Sequence, residues 1–404
     1  MNLGSPAIAG ASDSQCAIRN ERGFRLVRLG RAAAVLLALA VGPERLTVAA
    51  EEPAQAEVNI DAQGTVHVPA FEVPLSSYMS EAAKQAFIRR SKETLNPLWL
   101  SMDAPIERLR ALEESEARDA LKRATTRYPV TIEARAIAGV PTRIITPRAG
   151  VAPRNSQRVL LELHGGGFFL GANTDALLES MPVASVGGFR VIAVDYRQAP
   201  EHAFPAASED VAKVYHGLLK AYAPDRIGLF GCSAGGTLAA MSVAWLQKEK
   251  LPRPGALGIF SAGAYGDFNA APSTPGSWGG DSRFTAPPLV GEPALPADPR
   301  QMAPLSTLEA AYLRHADLRD PLVSPALSPA VLAKFPPTLL IAGTRGFDMS
   351  AAVQTHRQLV RAGVPADLQI WDGMGHCFFT DVDLPESQEA FAIMTQFFDS
   401  RLAR

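Results

Sequence analysis

Ser233 lies in the run RIGLFGCSAGGTLAA, from Arg226 to Ala240, with Gly231 two residues before it and Gly235 two after. An apolar run stops at Gly231 and an Ala/Gly-rich stretch of helical character begins right after the serine, so the pattern predicts strand, sharp turn and helix. A G-x-S-x-G turn holds its serine in a strained backbone conformation that lifts the hydroxyl clear of a sheet. The flanking glycines are needed because strand and helix pass too close for side chains. A hydroxyl so placed is a nucleophile if a base is in reach. Gly373-Met374-Gly375-His376 supplies one. It follows the last predicted strand, where ligands gather in open α/β sheets, and it comes after the serine in chain order. His376 is therefore expected to take the proton from Ser233. A third group, His164-Gly165-Gly166-Gly167, follows a buried strand upstream. Side-chain-free glycines let backbone N–H groups approach an oxyanion, and the N–H groups of Gly165, Gly166 and Ala234 are the expected donors. Together these residue types point to acyl transfer through serine.

The elements that must hold these groups alternate along the chain. Apolar runs at Val159 to Leu163, Arg190 to Val194, Ile227 to Phe230, Leu257 to Phe260, Thr338 to Ala342 and Leu368 to Trp371 read as strands buried on both faces. Helix-length segments separate most of them: Asp175 to Val186, Glu209 to Ala221, Ala234 to Lys248 and Ala351 to Ala362, with Glu386 to Leu402 after the last. That succession implies an α/β fold with a mostly parallel sheet flanked by helices. A hairpin at Val130 to Ala136 and Thr142 to Thr146 opens it, preceded by helices within 76–124. Between Gly263 and Phe335 some seventy residues carry many Gly and Pro and one plausible helix, near Ser306 to His315. Loops of that length usually lid or shape a site, so 263–335 and 76–124 are read together as a helical and irregular cap.

The 404 residues are 47% hydrophobic and 20% charged, enough for one large α/β domain with appendages. A net charge of -2, from 39 Lys+Arg against 41 Asp+Glu, gives no electrostatic reason to expect a nucleic acid or an anionic membrane as partner. The expected substrate is a small molecule, and nothing specifies an oligomeric state. Cys16, Cys232 and Cys377 form no CxxC pair and no Cys/His cluster, so no disulfide framework and no metal is expected. Cys232 and Cys377 are read as separate, partly buried thiols, because adjacency to Ser233 and His376 in sequence does not bring the two sulfurs together.

Residues 1–50 look like an address. Arg19, Arg22, Arg25, Arg28 and Arg31 precede an apolar run from Ala32 to Val41, and small residues follow at Val48, Ala49 and Ala50. That pattern matches a signal peptide and is too short for a spanning helix, with an Arg-rich amphipathic or disordered leader as the alternative; it predicts export to the periplasm or exterior with no stable membrane span in the mature chain. Residues 51–74 read as a flexible linker and 75–404 as the folded domain.

From about residue 75 onward the chain resembles the hormonesensitive-lipase-like carboxylesterases of the α/β-hydrolase fold. The resemblance rests on HGGG at 164–167, DYRQAPEHAFPAA at 195–207, GCSAGG at 231–236, DPLVSP at 320–325 and GMGH at 373–376. It implies serine-dependent hydrolysis of small acyl esters, a cap over the sheet and no cofactor. It also implies that the stretch 197–205 is architectural, so Glu201 and His202 receive no catalytic role. The family usually places an aspartate directly after Gly-Thr-Arg; here Gly346 follows Gly343-Thr344-Arg345, and Asp348 comes two residues later. Asp348 is expected to orient His376 through a shifted loop, with Asp267 as the alternative acid and a plain helix-start carboxylate as the structural reading of Asp348. Other activities on this scaffold (lactone, amide or acetylated-sugar cleavage) and a catalytically weakened binding protein remain open. Trp99, Phe168, Phe169, Trp278 and Phe284 are apolar candidates for a pocket wall, none of them assigned to specificity.

Overall fold

The computed structural model describes residues 58–62, 66–67, 74–92, 104–266 and 311–403. The leader and residues 93–103 and 267–310 of the expected cap, with Trp99, Asp267, Trp278 and Phe284 among them, lie outside the described residues. The chain divides into two compact units, Met1–Glu72 and Val73–Arg404. In the first, within the stretch expected as linker, Asn59–Ile60 and Val66–His67 pair as a short antiparallel ladder. Ile60 is in register with Val66 in it.

The second unit is built on an eight-stranded sheet: β1 (Val130–Ile137), β2 (Val140–Pro147), β3 (Val159–Leu163), β4 (Arg190–Val194), β5 (Ile227–Cys232), β6 (Ala256–Phe260), β7 (Thr338–Gly343) and β8 (Ala366–Trp371). Their spatial order is β8-β7-β6-β5-β3-β4-β2-β1. The hairpin β1–β2 is antiparallel and β2 meets β4 antiparallel, whereas every other neighbouring pair is parallel. The longer helices among the described residues are α1 (Glu81–Lys92), α2 (Ile106–Arg127), α3 (Asp175–Gly187), α4 (Ala206–Leu218), α5 (Ala234–Lys248), α6 (Met349–Arg361) and α7 (Pro385–Arg401).

Strand alternation divides the core in two. Val159, Leu161 and Leu163 pack with Val211 of α4, Leu238 of α5 and Leu359 of α6. Leu160 points the other way, into a cluster with Met181 of α3 and Phe391 and Phe398 of α7. Both faces are therefore covered, which is why the central strands read as continuous apolar runs instead of alternating ones. Because β3 and β5–β8 run parallel in register, with Leu163 beside Gly231, Cys232 beside Phe260 and Trp371 beside Gly343, their carboxyl ends share one edge of the sheet. The loops that leave this edge carry His164, Ser233, Asp348 and His376.

Candidate active site

Ser233 sits between β5 and α5 with φ 58° and ψ -127°. A non-glycine residue held there stores about 1–3 kcal/mol of backbone strain, which the surrounding packing must offset. The packing is tight: a Cβ on Gly235 would lie 1.7 Å from the Leu163 carbonyl oxygen, and one on Gly231 would lie 2.2 Å from the same atom. Both glycines of the turn are thus required by the approach of β3. The Ser233 N–H donates to the carbonyl of Phe260 at 2.9 Å, fixing the turn to β6.

His376 comes to this serine from the loop after β8. Its Nε2 lies 2.9 Å from Ser233 Oγ, and its Nδ1 lies 2.6 Å from Asp348 Oδ1. A carboxylate accepts only, so Nδ1–H donates to Asp348 and Nε2 accepts from the serine hydroxyl. Asp348 is fully buried while the His376 side chain is 25% exposed. The ring is also sandwiched on one side by Phe347, stacked at 4.3 Å between centroids. Asp348 does precede α6, but its side chain makes no capping hydrogen bond, and Oδ2 has no donor among the described residues. The carboxylate is committed to the histidine. Gly346 explains how a displaced acid reaches the ring, since a Cβ there would stand 2.7 Å from Asp348 Oδ1. The carboxyl group of Asp348 fills the space that a side chain at 346 would take. Gly346→Ala is therefore expected to push the carboxylate off the ring and lower kcat roughly 10- to 100-fold without loss of fold, as checked by ester turnover and circular dichroism.

The glycine loop after β3 corrects one expectation. The Gly165 N–H donates to Glu179 Oε1 at 3.2 Å, so it is engaged below the loop and faces no substrate. The amides of Gly166, Gly167 and Ala234 have no acceptor among the described residues. Gly166 and Gly167 adopt φ 91° and 61°, a backbone turn that an L side chain would strain. Glu179, an α3 residue with nothing in the sequence to distinguish it, also accepts from the Cys232 N–H at 3.1 Å. It therefore ties the glycine loop to the strand before the nucleophile. Burial raises its pKa, and raises that of its neighbour Glu162 likewise. Burial lowers His164 to about 4. A neutral His164 donates from Nδ1 to the Gly165 carbonyl at 2.8 Å and stacks at 4.2 Å on Tyr196, whose hydroxyl donates to the His164 carbonyl.

This geometry has relatives. Residues 160–380 match the family described as the alpha/beta hydrolase fold. The chain belongs to that family. An acetyl-hydrolase of Streptomyces hygroscopicus is 31% identical over 246 residues, 60% of this chain and 76% of that protein. The carboxylesterase/phospholipase LipF of Mycobacterium tuberculosis is 30% identical over 59% of this chain, which spans 61% of LipF's own length. Among solved structures, an esterase at 31% identity superposes with a TM-score of 0.68, covering 83% of this chain and 99% of the other. An esterase of the bacterial hormone-sensitive lipase family superposes at 0.62 with 27% identity, over 79% of this chain and 99% of that one. The protein is a hormone-sensitive-lipase-like α/β-hydrolase, with esterases as its relatives.

Two further features complete the site of this α/β-hydrolase. The stretch 197–205 is held by charge, as its resemblance implied. Arg197 donates to Asp210 at 2.7 Å and to Glu209 at 2.8 Å, and Glu201 pairs with Arg110 of α2 at 2.7 Å. Arg110 also donates to the Phe169 carbonyl at 3.0 Å, and Glu113 of the same helix accepts from Gly171 N–H and Thr174 Oγ1. The helix expected to belong to a cap thus grips the glycine loop from outside. Phe168 and Phe169 are buried, and Phe168 stacks on Tyr312 at 4.4 Å. The second feature overturns an expectation: Cys232 and Cys377 are joined by a disulfide, with Cα atoms 6.5 Å apart across a sequence separation of 145. Cys232, at the end of β5, belongs to the core cluster under α3 and α7, and Cys377 packs against that cluster.

Proposed function

We propose that this hydrolase is a serine carboxylesterase acting on short acyl esters through an acyl-enzyme. The observation that carries the reading is the continuous relay from Ser233 through His376 to Asp348, with hydrogen bonds of 2.9 and 2.6 Å. In the proposed reaction Ser233 Oγ attacks the ester carbonyl as His376 Nε2 takes its proton, and Asp348 stabilises the resulting imidazolium. The tetrahedral oxyanion accepts hydrogen bonds from Gly166, Gly167 and Ala234. His376 then protonates the departing alkoxide, and a water activated by the same ring releases the acid. Each role rests on residues of this chain, and no cofactor enters the scheme.

The intact relay favours catalysis over the alternative of a binding protein that has lost its acid. Short acyl groups are proposed in keeping with an acetyl-hydrolase among the relatives. The test is a series of p-nitrophenyl esters from acetate to dodecanoate. A burst of nitrophenol equal to the enzyme concentration, with kcat/KM greatest at the acetate or butyrate, is the expected result; a maximum at ten carbons or more, or no ester turnover, contradicts it. We also propose that the mature protein is exported. The Arg-rich, apolar, small-residue pattern of residues 19–50 and a disulfide at the centre of the domain both suit an oxidising compartment. Among the described residues no helix is long and apolar enough to cross a membrane.

A further inference from the structure

The catalytic histidine is carried on a loop anchored on both sides, and the two anchors differ in kind. Upstream, the Gly373 N–H donates to Thr344 Oγ1 at 2.7 Å and the Arg345 N–H donates to the Met374 carbonyl at 2.9 Å. These bonds tie the base to the loop that bears Asp348. Downstream, Cys377 adopts φ 45°, donates its N–H to Ser261 Oγ at 2.9 Å and is bonded through sulfur to Cys232. These contacts tie the base to the strand ends that bear Ser233. Cys232 is in turn held by the Glu179 carboxylate through its N–H. One covalent bridge therefore joins the residue before the nucleophile to the residue after the base.

We propose that the Cys232–Cys377 disulfide is a positioning element of the active site, holding His376 in register with Ser233, and that its opening by a dithiol reductant reversibly lowers turnover. The proposal rests on the esterase reading above. Cys377 is partly exposed, whereas Cys232 is fully buried, so a reductant thiolate attacks the Cys377 sulfur. The S–S bond breaks, its electron pair passes to the Cys232 sulfur, and that sulfur takes a proton. The second thiol of the reductant then closes on the mixed disulfide and frees the Cys377 thiol. Two protein thiols appear for each dithiol oxidised. What is lost is the covalent limit on how far the His376 loop can drift from the elbow; Ser261 Oγ remains as a single hydrogen bond. A drift of about an ångström between reacting groups is enough to lower a rate on the order of 100-fold.

The test uses the full chain carrying Cys16→Ser, so that every thiol counted belongs to the bridge. Native protein denatured without reductant should show no free thiol, and protein treated with dithiothreitol should show two. With circular dichroism unchanged, kcat for p-nitrophenyl butyrate should fall roughly 10- to 100-fold on reduction, with KM within about twofold. The rate of phosphonylation of Ser233 should fall in parallel, and reoxidation should restore both. The Cys232→Ala/Cys377→Ala protein should show the reduced-form kcat and no response to dithiothreitol. Equal kcat in the two redox states, two free thiols in the native protein, or a loss of kcat that only follows loss of fold would each overturn the proposal. Failure of the esterase reading itself is separate: the oxidised protein would then show no turnover that depends on Ser233.

Discussion

Replacing Ser233 by alanine is expected to abolish the nitrophenol burst and to lower kcat by about a million-fold, leaving KM nearly unchanged. In transition-state terms that is about 8 kcal/mol, six factors of ten at about 1.36 kcal/mol each. The size follows from the order of the chemistry. Without the hydroxyl no acyl-enzyme forms, and His376 has no proton to take from position 233. What survives is the hydrogen bonding of the Gly166, Gly167 and Ala234 amides to a hydrated carbonyl, a small residue of the total effect. The fold should not suffer, because alanine lacks only an oxygen whose partner is the catalytic ring. A Ser233→Ala protein that still hydrolyses p-nitrophenyl acetate within tenfold of the parent would move the nucleophile elsewhere.

Asp348→Asn is the second large effect, about ten-thousand-fold in kcat, or ~5 kcal/mol. The amide is nearly the same shape, so the loop should keep its course. It is neutral, however, and cannot stabilise the imidazolium that forms as Ser233 is deprotonated. It can also present N–H to Nδ1, which would shift the ring proton to Nε2 and point it at the serine. Because Asp348 is fully buried and Oδ2 has no donor among the described residues, no other local charge replaces the carboxylate. Asp267→Asn is the control. Near-parent activity in Asp267→Asn together with a crippled Asp348→Asn is the expected pair of results, measured as kcat on the same ester. The reverse pair would assign the acid to Asp267.

The sequence carries the frame of this protein openly. Five of the parallel-sheet strands are apolar runs because both faces of the sheet are covered, whereas the edge strand β8 has no fully buried residue and exposes Gln369 and Ile370; the structure has all six within about two residues of where the apolar pattern ends. The elbow was legible from Gly231 and Gly235, since a steric requirement as severe as a 1.7 Å clash leaves glycine as the residue that fits. His376 was legible from chain order and its place after the last strand.

Other features depend on distances that no local pattern encodes. Which N–H group of 165–167 is already engaged is set by Glu179, fourteen residues on in a helix, whose carboxyl group takes the Gly165 N–H. Glu179 itself reads as an ordinary helical charge. Asp348 was reached by allowing the acid loop to shift; the cause, the space above Gly346, is visible only in three dimensions. The disulfide is not legible from local pattern. Neighbouring side chains do diverge, so Cys232 turns from Ser233 and Cys377 from His376. The fold nevertheless brings the two cysteines to one apolar cluster, where they are bonded across a sequence separation of 145.

The most direct measurement is to treat the protein with a p-nitrophenyl phosphonate and identify the modified peptide by mass spectrometry. The expected result is one phosphonyl group per chain, on Ser233, with loss of ester hydrolysis in step with labelling and with labelling slowed in Asp348→Asn. A label on any other residue, or full hydrolytic activity after Ser233 is modified, would contradict it.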